Sequence, residues 1–198
     1  SDGSANQVLQ TNGSGTLSFA TVSSGGGSSG SAGAKPSVYM DAGNVNVTTT
    51  EVTIPFDTEV LDPDNNASST TDGHIRLAAA GLYEISYSIP INDDAPSGDS
   101  GADRTRIFAF VQHDDNDSFS SPTTIAQSRS QVYTRENSGG SGLSTSFIYD
   151  HTANDYIRIR IDAERTTNLS TETGEAQISI RMLSTASETI VITAEKSD

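Results

Sequence analysis

Residues 81–91, Gly-Leu-Tyr-Glu-Ile-Ser-Tyr-Ser-Ile-Pro-Ile, constrain the fold of this chain more than any other stretch. Tyr83, Ile85, Tyr87, Ile89 and Ile91 fall on one face, and Glu84, Ser86 and Ser88 on the other, because successive side chains of a strand point to opposite sides of a sheet. The same two-residue period returns near the end of the chain. Ile157, Ile159 and Ile161 alternate with Arg158 and Arg160, and Ile178, Ile180 and Met182 alternate with Ser179 and Arg181. Strands are predicted at 37–41, 44–49, 52–56, 74–77, 82–91, 104–112, 125–134, 143–149, 156–162, 176–183 and 189–193. Turn-rich loops separate them at 62–73, 92–103, 113–122, 135–142 and 164–174. Short strands at this spacing, with no helical period longer than a turn, predict an all-β antiparallel sandwich.

Composition narrows what such a sandwich can do. The chain has 198 residues and is 33% hydrophobic, so its core is thin and gains from burying further apolar surface in an oligomer. Its formal net charge of −15 is offset by no basic cluster. No basic groove is present to hold nucleic acid, and anionic membrane surfaces are disfavoured for the same reason. There is no cysteine, which excludes disulfides, zinc–thiolate sites and cysteine nucleophiles. No apolar run approaches the roughly 18 residues of a membrane span, so no membrane insertion is expected. The first residues lack signal-peptide form, so export by a cleaved signal is not expected.

Residues 1–34 differ from the rest: about half are Gly or Ser, and Asp2 is their one charged side chain. Residues 7–10 and 16–22 read as two short strands around Asn12-Gly13, with Leu17 and Phe19 on one face. Residues 23–34 read as a flexible linker. The organisation expected is thus an N-terminal anchoring arm and linker at 1–34 and a β domain at 35–198, the latter including a C-terminal extra strand. An arm of this composition pays about 1–2 kcal/mol of backbone entropy per fixed residue, so a partner is needed to hold it. Val8, Leu9, Leu17 and Phe19 are the candidate anchoring residues.

Three motifs together resemble a known family. Ile54-Pro55-Phe56-Asp57, then Ala80-Gly81-x-Tyr83-x-Ile85-x-Tyr87, then Asn154-Asp155-Tyr156-Ile157-x-Ile159-x-Ile161 resemble, in this order, the globular-head domain of complement and its tumour-necrosis-factor-like relatives. The resemblance spans about residues 36–183. It implies a ten-stranded jelly roll that assembles as a compact homotrimer, with an extended N-terminal arm in this chain. The chain departs from the family pattern at Ile85, where an aromatic is usual, and at Ile178 and Ile180, where an aromatic–Gly pair is common. Tyr83, Ile85 and Tyr87 are the expected core or trimer residues, with Phe108 and Phe110 candidates for the trimer axis. The segment 5–19, Ala-Asn-Gln-Val-Leu-Gln-Thr-Asn-Gly-Ser-Gly-Thr-Leu-Ser-Phe, is similar to connectors of bacteriophage fibre and virion appendage proteins. The two resemblances together imply a non-enzymatic virion protein on the particle surface, attached to other virion proteins through residues 1–34. Head decoration, head fibre and short tail fibre are the placements they imply, serving capsid stabilisation or adhesion to a host-surface glycan or protein. The alternative is a carbohydrate-binding adhesin or lectin-like module. The chain has no Trp, so Tyr133 or Tyr149 would have to supply its sugar platform.

Candidate chemistry is sparse. Gly26-Gly-Ser-Ser-Gly30 and Gly25-x-Gly27-x-x-Gly30 spell a nucleophile elbow and a dinucleotide fingerprint, but neither has the strand before and helix after that these motifs need. They follow from Gly/Ser composition. His74, His113 and His151 sit in different elements and read as surface or turn residues. No carboxylate pair sits on a catalytic scaffold, so neither an enzyme nor a bound cofactor is expected. For Ca2+, Asp62-x-Asp64-x-Asn66 resembles the start of an oxygen-ligand loop. It lacks the glycine at the sixth position and the glutamate at the twelfth. Asp93 and Asp94 crowd one loop, and Asp114, Asp115 and Asp117 another; these are the remaining metal candidates.

Overall fold

The computed structural model describes residues 7–11, 17–21, 35–41, 43–65, 67–69, 72–77, 79–92, 104–135, 141–152, 155–165 and 169–185. The predicted linker at 23–34, the candidates Asp93 and Asp94, and the predicted strand at 189–193 lie outside the described residues. The chain divides into two units, Ser1–Ala32 and Gly33–Asp198. In the first, β1 (Gln7–Thr11) and β2 (Leu17–Thr21) pair antiparallel, with Leu9 opposite Phe19 and Thr11 opposite Leu17.

The second unit contains β3 (Ser37–Met40), β4 (Val52–Thr53), β5 (Thr58–Leu61), β6 (Ala67–Ser69), β7 (Ile75–Leu77), β8 (Gly81–Asn92), β9 (Arg104–Asp114), β10 (Thr123–Thr124), β11 (Ser130–Arg135), β12 (Ser141–His151), β13 (Tyr156–Ala163), β14 (Ser170–Thr171) and β15 (Gln177–Thr185). They form two antiparallel sheets. A six-stranded sheet runs β12-β8-β15-β3-β5, with β14 also pairing β8. A seven-stranded sheet runs β10-β9-β13-β7-β6, with β11 also on β9 and β4 also on β13.

The alternation read from sequence sets which face of each strand is buried. Tyr83, Ile85, Ile89 and Ile91 of β8 pack with Ile178 and Ile180 of β15 against Ile157, Ile159 and Ile161 of β13 and Ile107 and Val111 of β9. All of these are almost fully inaccessible to water. Burying each such side chain contributes about 1.5–3 kcal/mol, so the two inner faces are the main source of stability. The phenol groups that enter this core find partners. The Tyr83 hydroxyl donates to Ala79 O at 2.9 Å. The Tyr87 oxygen lies 2.7 Å from Ser128 O, 3.0 Å from Ala109 O and 2.9 Å from Ser130 Oγ. Burial pushes the Tyr87 hydroxyl up from its ordinary pKa, keeping it a neutral donor. Tyr87→Phe is therefore expected to cost about 1–3 kcal/mol, because it strips a buried carbonyl of its donor. Urea unfolding checks this; a loss under ~0.5 kcal/mol would mean the carbonyl finds another partner.

Several boundaries differ from those predicted, each for a local reason. The strand predicted at 52–56 stops at Thr53, because Pro55 lacks an N–H for the ladder and the Phe56 N–H turns back to Ile54 O at 3.1 Å. The strand predicted at 44–49 reduces to a bridge between Asn46 and Ser170, flanked by Val47 N–H to Leu169 O and Thr171 N–H to Val45 O. The stretch 125–134 divides at a 3-10 turn, Ala126–Ser128. There the Ser128 hydroxyl donates to Ile125 O at 2.6 Å and accepts the Val111 N–H at 2.8 Å, drawing the chain out of the ladder. Strands β5 and β6 lie outside the predicted strands. Every residue of β5 is exposed, so it carries no buried period to read.

One glycine is required by its position. Gly73 has φ +72°, and a Cβ added there would lie 2.3 Å from the Cα of Pro55. Its left-handed turn lies directly against the backbone of the Ile54–Asp57 motif.

Candidate functional site

Three regions of the sandwich bear on function. The first is the outer face of the six-stranded sheet. Because the odd-numbered residues of β8 face the core, its even-numbered ones and their cross-strand partners form this face. Ser86 lies opposite Ser146 on β12 and Ser179 on β15, and Ser88 opposite Ser144. These small hydroxyl side chains make a low, even surface. Glu84 stands between Ile148 and Arg181, and Arg181 pairs with Glu84 through Nη2 and Oε2. A shallow hollow of about 220 Å³ opens beside that pair, lined by Pro36, Glu84, Ser86, Ser179 and Arg181. At one end of the same sheet Leu82, Ile148 and Leu183 are exposed, Ile148 by 51%.

The second region is one end of the sandwich, where His151 closes β12 of one sheet and Asp155 immediately precedes β13 of the other. Asp155 Oδ2 lies 3.9 Å from Nδ1 of His151 and 4.0 Å from Nδ1 of His113, which projects from β9. Tyr149 stands beside both imidazoles, with ring centroids 5.5 Å from His113 and 6.0 Å from His151. The edge of the Tyr83 ring meets His151 at 5.6 Å. The His151 side chain is 0% exposed, and neither of its ring nitrogens has a hydrogen-bond partner. Burial pushes its pKa down from the ordinary imidazole value, and the Asp155 charge only partly offsets this. Burial, with Asp155 and Asp150 beside it, pushes the Tyr149 hydroxyl up to about 12. A cavity of about 300 Å³, lined among others by His113, Asp114, Asp115, Thr123 and Asp155, opens next to this cluster.

The third region holds the remaining acidic candidates, which are engaged in local structure. Asp114 is buried; its Oδ1 accepts from the Asn116 amide and its Oδ2 from the Ser121 N–H at 2.8 Å, which folds the loop after β9 back on itself. Asp115 also accepts from the Asn116 side chain. Asp117 lies 2.9 Å from Nδ1 of His74, whose ring packs on Phe119, and the Arg158 guanidinium sits 4.2 Å from the centre of that ring. Asp62 accepts from Ser37 Oγ and Tyr39 Oη, and Asp64 from the Lys35 N–H. Each of these carboxylates thus has a partner within the protein, and Asp114 and Asp115 share the Asn116 amide. Among the described residues, no three His, Asp or Glu side chains are grouped so as to hold a metal ion, and no helix is long and apolar enough to cross a membrane.

The structure thus corrects the reading of the histidines as surface or turn residues: His74 and His151 are buried, and His113 and His151 flank a shared carboxylate. Sequence could not pair them, because β9, β12 and β13 bring them together only through the sheets. Tyr83, Ile85 and Tyr87 are all in the core. Phe108 and Phe110 alternate with the core-facing Ile107, Ala109 and Val111 and lie on the outer side of the seven-stranded sheet, under Arg129, whose guanidinium carbon is 4.7 Å and 5.7 Å from the two rings. The backbone of Val8, Leu9, Leu17 and Phe19 forms the β1–β2 pair. Tyr133, on β11, is 61% exposed.

No protein-family profile and no curated protein sequence matches the chain. Solved structures do resemble it. The Eiger TNF of S. frugiperda is 14% identical, with a TM-score of 0.52 over 82% of this chain and 98% of that one. The globular domain of zebrafish complement 1qA is 9% identical, with a TM-score of 0.51 over 76% of this chain and 98% of that one. Murine APRIL at pH 5.0 is 15% identical, with a TM-score of 0.51 over 75% of this chain and all of that one. Identities this low speak for architecture alone, and the architecture they share with this chain is the tumour-necrosis-factor-like jelly roll.

Proposed function

We propose that this chain is a non-enzymatic, self-associating display domain of a bacteriophage particle. In this reading the jelly roll forms a homotrimer on the virion surface, and residues 1–34 attach it to other virion proteins. The observation that carries the self-association is the outer face of the six-stranded sheet, low and hydroxyl-lined, with Leu82, Ile148 and Leu183 exposed at one end. An apolar group left in water on an otherwise even face gains about 25 cal/mol for each Å² covered by a second copy. The shared fold supports a threefold arrangement. The attachment role is supported by the resemblance of the segment at 5–19 to virion connectors and by the pairing of Gln7–Thr11 with Leu17–Thr21 in a unit of its own.

Size-exclusion chromatography with light scattering should return three times the chain mass. Ile148→Asp should shift the species to the monomer, because it places three like charges in an apolar contact, while the circular dichroism of the fold is retained. A monomeric wild-type chain would overturn the self-association. Mass spectrometry of purified virions tests the particle role, which fails if the chain is absent from them.

One observation favours a second reading. The exposed ring of Tyr133 on β11 is available to stack on a sugar, which suits a carbohydrate-binding module. Binding on a glycan array that is lost in Tyr133→Ala would support it, and a blank array would remove it.

A further inference from the structure

The buried His151 has no part in the self-association just described. Both of its ring nitrogens lack hydrogen-bond partners inside a closed site, an arrangement that normally costs about 1–3 kcal/mol for each group. It holds the last position of β12, against Tyr83 of β8 and next to Tyr149 and Asp150 of its own strand. Across the sandwich it meets Asp155 ahead of β13 and, beyond that carboxylate, His113 of β9. The chain passes from one sheet to the other between His151 and Asp155. A charge created on His151 therefore appears where the two sheets are joined.

We propose that this cluster makes the joint between the two sheets acid-sensitive: proton uptake by His151 places a cation in the closed site and loosens the end of the sandwich. Asp155 is the one carboxylate shared by both imidazoles, and its oxygen stands 3.9 Å from His151 Nδ1, too far for a hydrogen bond. It attracts the imidazolium without satisfying it. His113 acts in the opposite sense, since its own protonation repels a second charge. Asp150 adds a weaker attraction from the same strand.

The direction follows from linkage. In the unfolded chain a histidine takes up its proton near pH 6.5. In the fold His151 takes it up at lower pH, with burial the largest cause. The stability this site contributes is present above the unfolded value, declines as pH falls through that value, and is gone below the folded one.

The test is urea unfolding of the full chain between about pH 8 and about pH 5.5, a window centred on imidazole titration. The wild-type midpoint should fall as pH is lowered, with a slope approaching one proton taken up on unfolding. His151→Gln should lose that part of the slope. The second measurement, in case that variant does not fold, is imidazole titration by NMR in the wild type, Asp155→Asn and His113→Gln. His151 should titrate below the unfolded value, lower still in Asp155→Asn, and higher in His113→Gln. The proposal is overturned if His151→Gln keeps the wild-type slope, if His151 titrates at or above about pH 6.5, or if the two neighbouring substitutions leave its titration unmoved.

Discussion

Phe56→Ala should lower the folding stability of the jelly roll by about 3–5 kcal/mol, the usual range when a fully buried aromatic is cut to a methyl group. Phe56 is 0% exposed and sits in the central cluster with Ile54. Its surroundings leave little room to collapse into the space. Ile54 N–H is tied to Ile159 O at 3.0 Å, and Ser69 Oγ donates to Phe56 O, so the backbone on either side of the ring is fixed. Domains of this kind are stable by about 5–15 kcal/mol in total, so the change removes a large share. Denaturant unfolding monitored by circular dichroism provides the measurement. A loss below ~1 kcal/mol would show that neighbouring strands close over the gap.

Gly73→Ala should cost about 2–5 kcal/mol although it adds only one methyl group. Two effects combine. A left-handed backbone costs a non-glycine residue about 1–2 kcal/mol, and an overpacked contact a further 1–3 kcal/mol. The added Cβ would fall 2.3 Å from Pro55 Cα and 2.7 Å from the Phe56 nitrogen, and both are backbone atoms that cannot swing aside. Gly174 provides the internal control: its φ is +71°, but nothing lies within 4 Å of its Cβ position, so Gly174→Ala should show the conformational cost without the clash. Equal losses at the two glycines would refute the packing argument. Because Gly73 presses on the segment that carries Phe56, the Phe56→Ala and Gly73→Ala effects should not add, as is usual for residues in contact.

The sequence is legible where one face of a strand is buried and the other wet. Residues 81–91, 157–161 and 178–182 all show this, and their strands, inward faces and sheet-forming role follow from it. It is silent where burial has no period. β5 is exposed along its whole length and pairs with β3, so its side chains carry no mark of the ladder. The 3-10 turn before β11 is also hidden, because it depends on Ser128 meeting Val111 across the sheet. The histidine cluster is invisible for a similar reason: His113 joins Asp155 and His151 only once β13 has paired with β9. The acidic loop is a different case. The run Asp114-Asp115-Asn116-Asp117 is read from sequence as a candidate ligand set, and in the fold Asp114 accepts local N–H groups while Asp117 pairs with His74. Spacing alone does not reveal these partners.

The strand order of the six-stranded sheet has a consequence for how the domain comes into being. β15, the last described strand, lies between β8 and β3. As the chain leaves the ribosome, β3 and β5 can pair with each other, and β8 can pair with β12, but until β15 slots in and joins both, these two halves share only the short contact of Asn46 with Ser170 of β14. The first strand of the domain thus completes its pairing only when the last described strand arrives. Chains dominated by such distant pairings fold slowly, over milliseconds to seconds, because the closure entropy comes before any reward. During synthesis the two half-sheets leave open edges where β15 belongs, a hazard for pairing with other nascent chains. A chain cut short before Gln177 would therefore lose the joint of its sheet, not a peripheral strand.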